Sequence, residues 1–132
     1  MLPFDRLEAG RAGYKLALAI HEMTESFPRR EWYGLAAQAR RAAFSVPLNL
    51  SEGSAKRGVK EFRRYVDIVI GSLGELVIIL RLSRDLGMIS ADKWKQLAAL
   101  CETASKLTHR LAQALDRRRV SKPTRPSDRP TV

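Results

Sequence analysis

Apolar residues recur along this chain with helical spacing, in four blocks. In the first, from about Leu7 to Ser26, Leu16, Ile20, Met23 and Phe27 follow at steps of four, three and four, which lines one face of a helix. Phe27-Pro28 closes it, because the residue before a proline is pushed out of helical geometry. The second block, about Glu31 to Ser54, places Leu35, Ala39, Ala42, Val46 and Leu50 on one stripe. Pro47 lies inside it, where the missing backbone donor predicts a kink or a local break. The third, about Val59 to Leu86, carries Phe62, Val66, Val69, Leu73, Leu76 and Leu80, with a second row of Tyr65, Ile68, Ser72 and Ile79. A helix apolar over so much of its circumference is central or touches another subunit. Gly87 stands where a closing glycine belongs, and Ser90 caps the fourth block. There Trp94, Leu97, Leu100, Ala104, Leu107, Leu111 and Leu115 form a stripe that runs to Arg117. Short connections between long amphipathic helices predict antiparallel neighbours, hence an all-α, up-down four-helix bundle over residues 1–116.

After that the pattern stops. Residues 117–132 hold three of the six prolines, no aromatic, and six basic residues against Asp128 alone, which predicts a disordered basic tail. The tail carries half of a formal net charge of +10, from 24 Lys and Arg against 14 Asp and Glu. Such an excess attracts polyanions, above all nucleic acid. A second concentration lies at the helix two–three turn, where Lys56, Arg57, Lys60, Arg63 and Arg64 are opposed only by Glu61. Basic groups at the start of a helix oppose its dipole, so stability alone does not account for them. With the tail's Arg117, Arg118, Arg119, Lys122 and Arg125 they form the candidate phosphate-contacting set. A solvated face is the other reading of the same residues. Stacking aromatics are scarce near them apart from Tyr65, so shape and backbone recognition are expected rather than base reading.

Catalysis is not indicated. Gln38, Arg41, Ser45, Asn49 and Glu52 share one face of the second helix, and Ser72 and Glu75 offer a partner row on the third. The set lacks a histidine or a nucleophile beside a base, so it is expected to be a structural hydrogen-bond network with a buried Arg41–Glu75 pair at its centre. Cys101 is the only cysteine and the two histidines, His21 and His109, are far apart, so neither a disulfide, a metal site nor a cofactor is expected. The first residues lack the basic leader and apolar core of a signal peptide, and the apolar stretch Val66 to Leu82 is broken by Asp67, Glu75 and Arg81. Cytoplasmic residence without a membrane association is the expectation.

The second and third helices also carry a longer pattern. Glu31, Tyr33, Gly34, Leu35, Gln38, Arg40, Arg41, Ala42, Ser45, Pro47, Asn49, Glu52 and Gly53, then Lys60, Glu61, Phe62, and Gly71, Ser72, Glu75 and Leu76, stand in order. That run resembles the four-helix-bundle family of the 23S ribosomal RNA intervening-sequence protein, related to the accessory variability protein of diversity-generating retroelements. Val46, Leu50 and Ser51 replace two isoleucines and an alanine of that pattern. The likeness spans about residues 7–116 and leaves the basic tail outside it. It implies a non-catalytic homopentamer arranged as a barrel and associated with RNA. In the retroelement branch it implies an accessory factor to a reverse transcriptase and its template RNA. A structural bundle that uses its charge to recruit an acidic protein partner is the reading from another class.

Overall fold

The computed structural model describes residues 1–121 and contains four long helices and, among the described residues, no strand. They are α1 (Glu8–Glu25), α2 (Leu35–Ser54), α3 (Val59–Asp85) and α4 (Ala91–Ser121), with short 3-10 turns at Pro3–Arg6 and Arg29–Glu31. Each helix packs on two others: α1 on α2 and α4, and α3 on α2 and α4. The α1–α2 seam and the α3–α4 seam therefore lie on opposite sides of the bundle.

The stripes read from the sequence meet in one core. Leu16, Ile20 and Met23 of α1, Val46 and Leu50 of α2, Val66, Val69, Leu76 and Leu80 of α3, and Leu97 and Leu115 of α4 are fully buried. From α2 come Ala36, Ala39, Ala42 and Ala43 as well, small residues that draw its backbone close to its neighbours. The closest approach is at Gly13 of α1, where a Cβ would stand 2.6 Å from Val46 Cγ1 and 3.8 Å from the Pro47 nitrogen. Three buried hydroxyls are satisfied within the helices. Ser83 donates to the Ile79 carbonyl, Thr108 to that of Ala104, and Thr24 to that of His21. Thr24 Oγ1 also accepts from Arg40 Nε at 2.7 Å, which ties α1 to α2.

The helix ends follow capping chemistry. Gly87 has φ +76°, and the amides of Met88 and Gly87 donate to the carbonyls of Ser83 and Arg84, the paired bonds of a Schellman motif. Ser90 Oγ accepts the Lys93 amide, as a helix N-cap should. Two boundaries differ from expectation. Pro28 opens the separate 3-10 turn at Arg29–Glu31, and Gly34 leaves helical geometry (φ −103°, ψ −109°), so α2 begins at Leu35 rather than Glu31. It then runs through Pro47 without a break. Toward the C-terminal side α4 continues to Ser121, so the expected tail has its first residues, Arg117 to Ser121, in the helix. Arginine is a good helix former, and Arg118 and Arg119 sit in the last turn, where cations meet the negative end of the dipole. Residues 122–132 lie outside the described part. Among the described residues, no helix is long and apolar enough to cross a membrane.

Candidate nucleic-acid interface

The start of α3 and the end of α4 are joined by one arginine. Arg63 Nε donates to Asp116 Oδ1 at 3.0 Å across the seam, while the same guanidinium holds Asp67 one turn along α3. Partial burial works against the Arg63 charge, yet the hydrogen bonds to Asp67 and Asp116 more than offset it and raise its already high pKa. Arg63 is thus a clasp between helices, with its guanidinium engaged by two carboxylates of the chain itself. Arg63→Met is expected to lower stability by about 1 kcal/mol or less, because both carboxylates are largely solvated. Chemical denaturation checks this, and an RNA titration of the same variant is expected to match the parent chain.

The clasp has a consequence for the other basic residues. It brings the α2–α3 turn beside the last turns of α4, so the two basic concentrations lie at one end of the bundle. Lys56, Arg57, Lys60 and Arg64 are exposed there, as are Arg117, Arg118 and Arg119. Lys122 and Arg125 lie outside the described residues. Lys56 Nζ is 3.9 Å from Glu52, and Arg64 is 3.5 Å from Glu61. Surface pairs of this kind contribute little and exchange readily for a phosphate. Tyr65 donates its hydroxyl to Glu52 at 3.1 Å and carries Arg64 5.0 Å and Lys56 5.6 Å from its ring centre. The ring therefore orients two cations and is not a free platform for a base.

The polar row on α2 closes only in part. Ser45 Oγ accepts from Ser72 at 2.8 Å and from Asn49 Nδ2 at 2.9 Å, and Asn49 also donates to the Ser45 carbonyl. With the Glu52–Tyr65 bond this stitches α2 to α3. The expected Arg41–Glu75 pair is absent: both residues are exposed, as is Gln38, and no ion pair joins them. The cause is competition for the seam. Ala39, Ala42 and Val46 occupy it, which turns Arg41 to the margin, where water solvates a charge at less cost than burial would.

Of the remaining titratable groups among the described residues, His21 and Cys101 stand on different helices, α1 and α4. His21 Nε2 is 3.2 Å from Glu25, its ring stacks on Phe44 at 6.0 Å, and its Nδ1 is buried without a partner. Burial pushes the Cys101 thiol up to about 12, far from a reactive thiolate. Among the described residues, His, Cys, Asp and Glu nowhere gather in threes as a metal would need.

Two surface features escaped the sequence reading. One is a groove of about 740 Å³ between α3 and α4, lined by Ile70, Leu73, Gly74, Val77, Trp94 and Cys101 among others. The other is an exposed apolar ridge on α1 and α2, formed by Tyr14, Leu18, Phe44 and Leu48. Their signal was present as apolar residues outside the stripes, Val77 on α3 and Leu18 and Leu48 on α1 and α2.

No curated protein matches the chain in a sequence comparison. The family described as 23S rRNA-intervening sequence protein matches residues 5–110, which takes in α1 to α3 and most of α4. With a match over most of its length and four helices in one bundle, the chain belongs to the 23S rRNA-intervening sequence protein family.

Proposed function

We propose that this chain is a non-catalytic RNA-binding protein that works as a homo-oligomer, a pentamer of up-down four-helix bundles. The observation that carries the proposal is the gathering of two basic clusters, distant in sequence, at one end of the fold. Arg57 and Lys60 stand at the start of α3, where cations oppose the helix dipole, so their position answers to a ligand better than to stability. The antiparallel arrangement of α3 and α4 is supported by contacts at both ends: Arg63 with Asp116 at one, and Arg84 stacked 4.3 Å over Trp94 at the other. The family's description names a ribosomal RNA insertion, which favours structured RNA as the polyanion. An accessory role beside a reverse transcriptase follows from the resemblance to the retroelement branch and uses the same surface.

A salt titration of RNA affinity tests the reading. A labelled structured RNA is expected to bind at low salt, with log affinity falling linearly against log salt by about 0.7 to 0.9 per phosphate neutralised. Absence of binding at low salt, or binding indifferent to salt, would assign the charge to an acidic protein partner instead. Light scattering of the free protein is expected to give a multiple of 14.9 kDa. A single-chain mass would remove the oligomeric part.

A further inference from the structure

Two sites gather exposed apolar surface on opposite sides of this bundle, while Ile68, Ile78 and Leu82 are exposed on α3 outside both. On the α1–α2 side the surface is a row of outward side chains. Tyr14 is 56% exposed, Leu18 59% and Leu48 66%, with Phe44 beside them where its ring meets His21. On the α3–α4 side it is concave: α3 presents Gly74 over the groove, and the place a Cβ would take there has no atom within 4 Å. Exposed leucine and tyrosine in a cluster lose free energy to water, and a cluster of this kind marks a contact surface. The groove's volume is several times the roughly 150 Å³ that holds one benzene-sized group. It has room for the ridge side chains of another chain.

Charge agrees with shape. The Tyr14–Leu18 row continues at helical steps into Glu22 and Glu25, both exposed, near the end where α1 finishes. The groove wall at the end where α3 finishes carries Arg81, and further along α4 it carries Arg110 and Lys106, the last paired with Glu102 at 3.2 Å. With two chains the same way up, the acidic end of the ridge comes level with Arg81.

We infer that the α1–α2 ridge of one copy seats in the α3–α4 groove of the next, so that the assembly is built from one repeated heterologous contact. This rests on the oligomeric part of the proposed function and is independent of RNA binding. The two faces lie on opposite sides of the bundle, so each chain offers its ridge to one neighbour and its groove to the other. A two-fold contact of groove on groove or ridge on ridge would leave half of this surface in water. Repeated head-to-tail contacts close into a ring when the rotation between neighbours allows it.

The test uses two variants of the full chain. Leu18→Arg with Leu48→Arg blocks the ridge at two mostly exposed positions, and Gly74→Arg fills the groove at a position with open space. Both are expected to keep the parent's helical circular dichroism and a cooperative melt as single chains, since neither enters the core, with a lower midpoint because assembly no longer stabilises the fold. Each alone is expected to fall to one chain of 14.9 kDa while the parent stays multimeric. Mixed in equal amounts, they retain one intact ridge and one intact groove and are expected to give a two-chain species containing one of each. Because a single contact lacks the avidity of a closed ring, the mixture is measured at about 0.1 mM. Three results would overturn the inference while leaving the oligomer standing: a folded variant that keeps the parent's mass, a variant that forms a two-chain species alone, or a folded mixture that stays single-chain. A parent protein that is itself a single chain would overturn this inference and the oligomeric reading together.

Discussion

Gly13→Val is expected to destabilise the bundle by about 3 kcal/mol, the upper part of the range for overpacked cores. Even a lone Cβ at position 13 would stand 2.6 Å from Val46 Cγ1. Val46 cannot step aside, because it is β-branched, fully buried, and next to Pro47, whose ring fixes the local backbone. The axes of α1 and α2 must therefore separate, which loosens Leu16, Ile20 and Leu50 around them. Replacing a helical glycine recovers about 1 kcal/mol of intrinsic propensity, so Gly13→Ala is expected to cost less than Gly13→Val but still to destabilise. Gly71→Ala is the matched control: it has the same propensity gain and no atom within 4 Å of the new methyl, so the isolated chain should become more stable. Urea unfolding of the three variants reads both signs. An unchanged midpoint for Gly13→Val would mean that α1 and α2 do not approach as described.

The second large effect concerns RNA. Replacing Lys56, Arg57, Lys60 and Arg64 together with glutamine is expected to weaken RNA binding by roughly a thousandfold at about 0.1 M salt, from about 0.7 to 0.9 log unit per decade of salt below 1 M for each phosphate left without its cation. The slope of log affinity against log salt should flatten by about 3 to 4 in the same variant. Glutamine keeps the helix and most of the side-chain length, and the four residues lie at the exposed end of the bundle, so unfolding does not compete as an explanation. Arg63→Met, adjacent in sequence, provides the contrast, because its guanidinium is occupied by Asp67 and Asp116. An equal fall in affinity in both would show that the effect is one of net charge rather than of a surface. If the four-fold variant binds as well as the parent, the phosphate contacts lie elsewhere.

The helical stripes were legible because burial within one helix is set by local spacing. Val66, Val69, Leu73, Leu76 and Leu80 fall on the core face of α3 as their steps of three and four require. What the sequence does not show depends on a partner helix. Arg63 looks like its basic neighbours because Asp116, which claims it, is 53 residues away. Arg41 and Glu75 look like a buried pair because periodicity gives the side of a helix a residue occupies, whereas its depth depends on how closely the next helix approaches. Small residues on α2 allow that approach, and the charged row is left at the edge. The end of α4 is hidden for a simpler reason. A run of arginines reads as a solvated tail by composition, although each one favours helix and the first proline comes only at position 123.

The bundle is also charged unequally from end to end. One end gathers Arg57, Lys60, Arg64, Arg117, Arg118 and Arg119 around Glu52, Glu61 and Asp116, while the α3–α4 turn balances Arg84 and Lys93 with Asp85 and Asp92. In an assembly whose chains all point the same way, the basic ends share one rim. If such an assembly binds RNA as proposed, separate strands held on one rim would repel one another wherever they come within about a screening length, about 10 Å at 0.1 M salt. On that proposal the expected stoichiometry is set by the rim, one RNA to a whole assembly, so that the number of chains titrated per RNA would count the subunits around it.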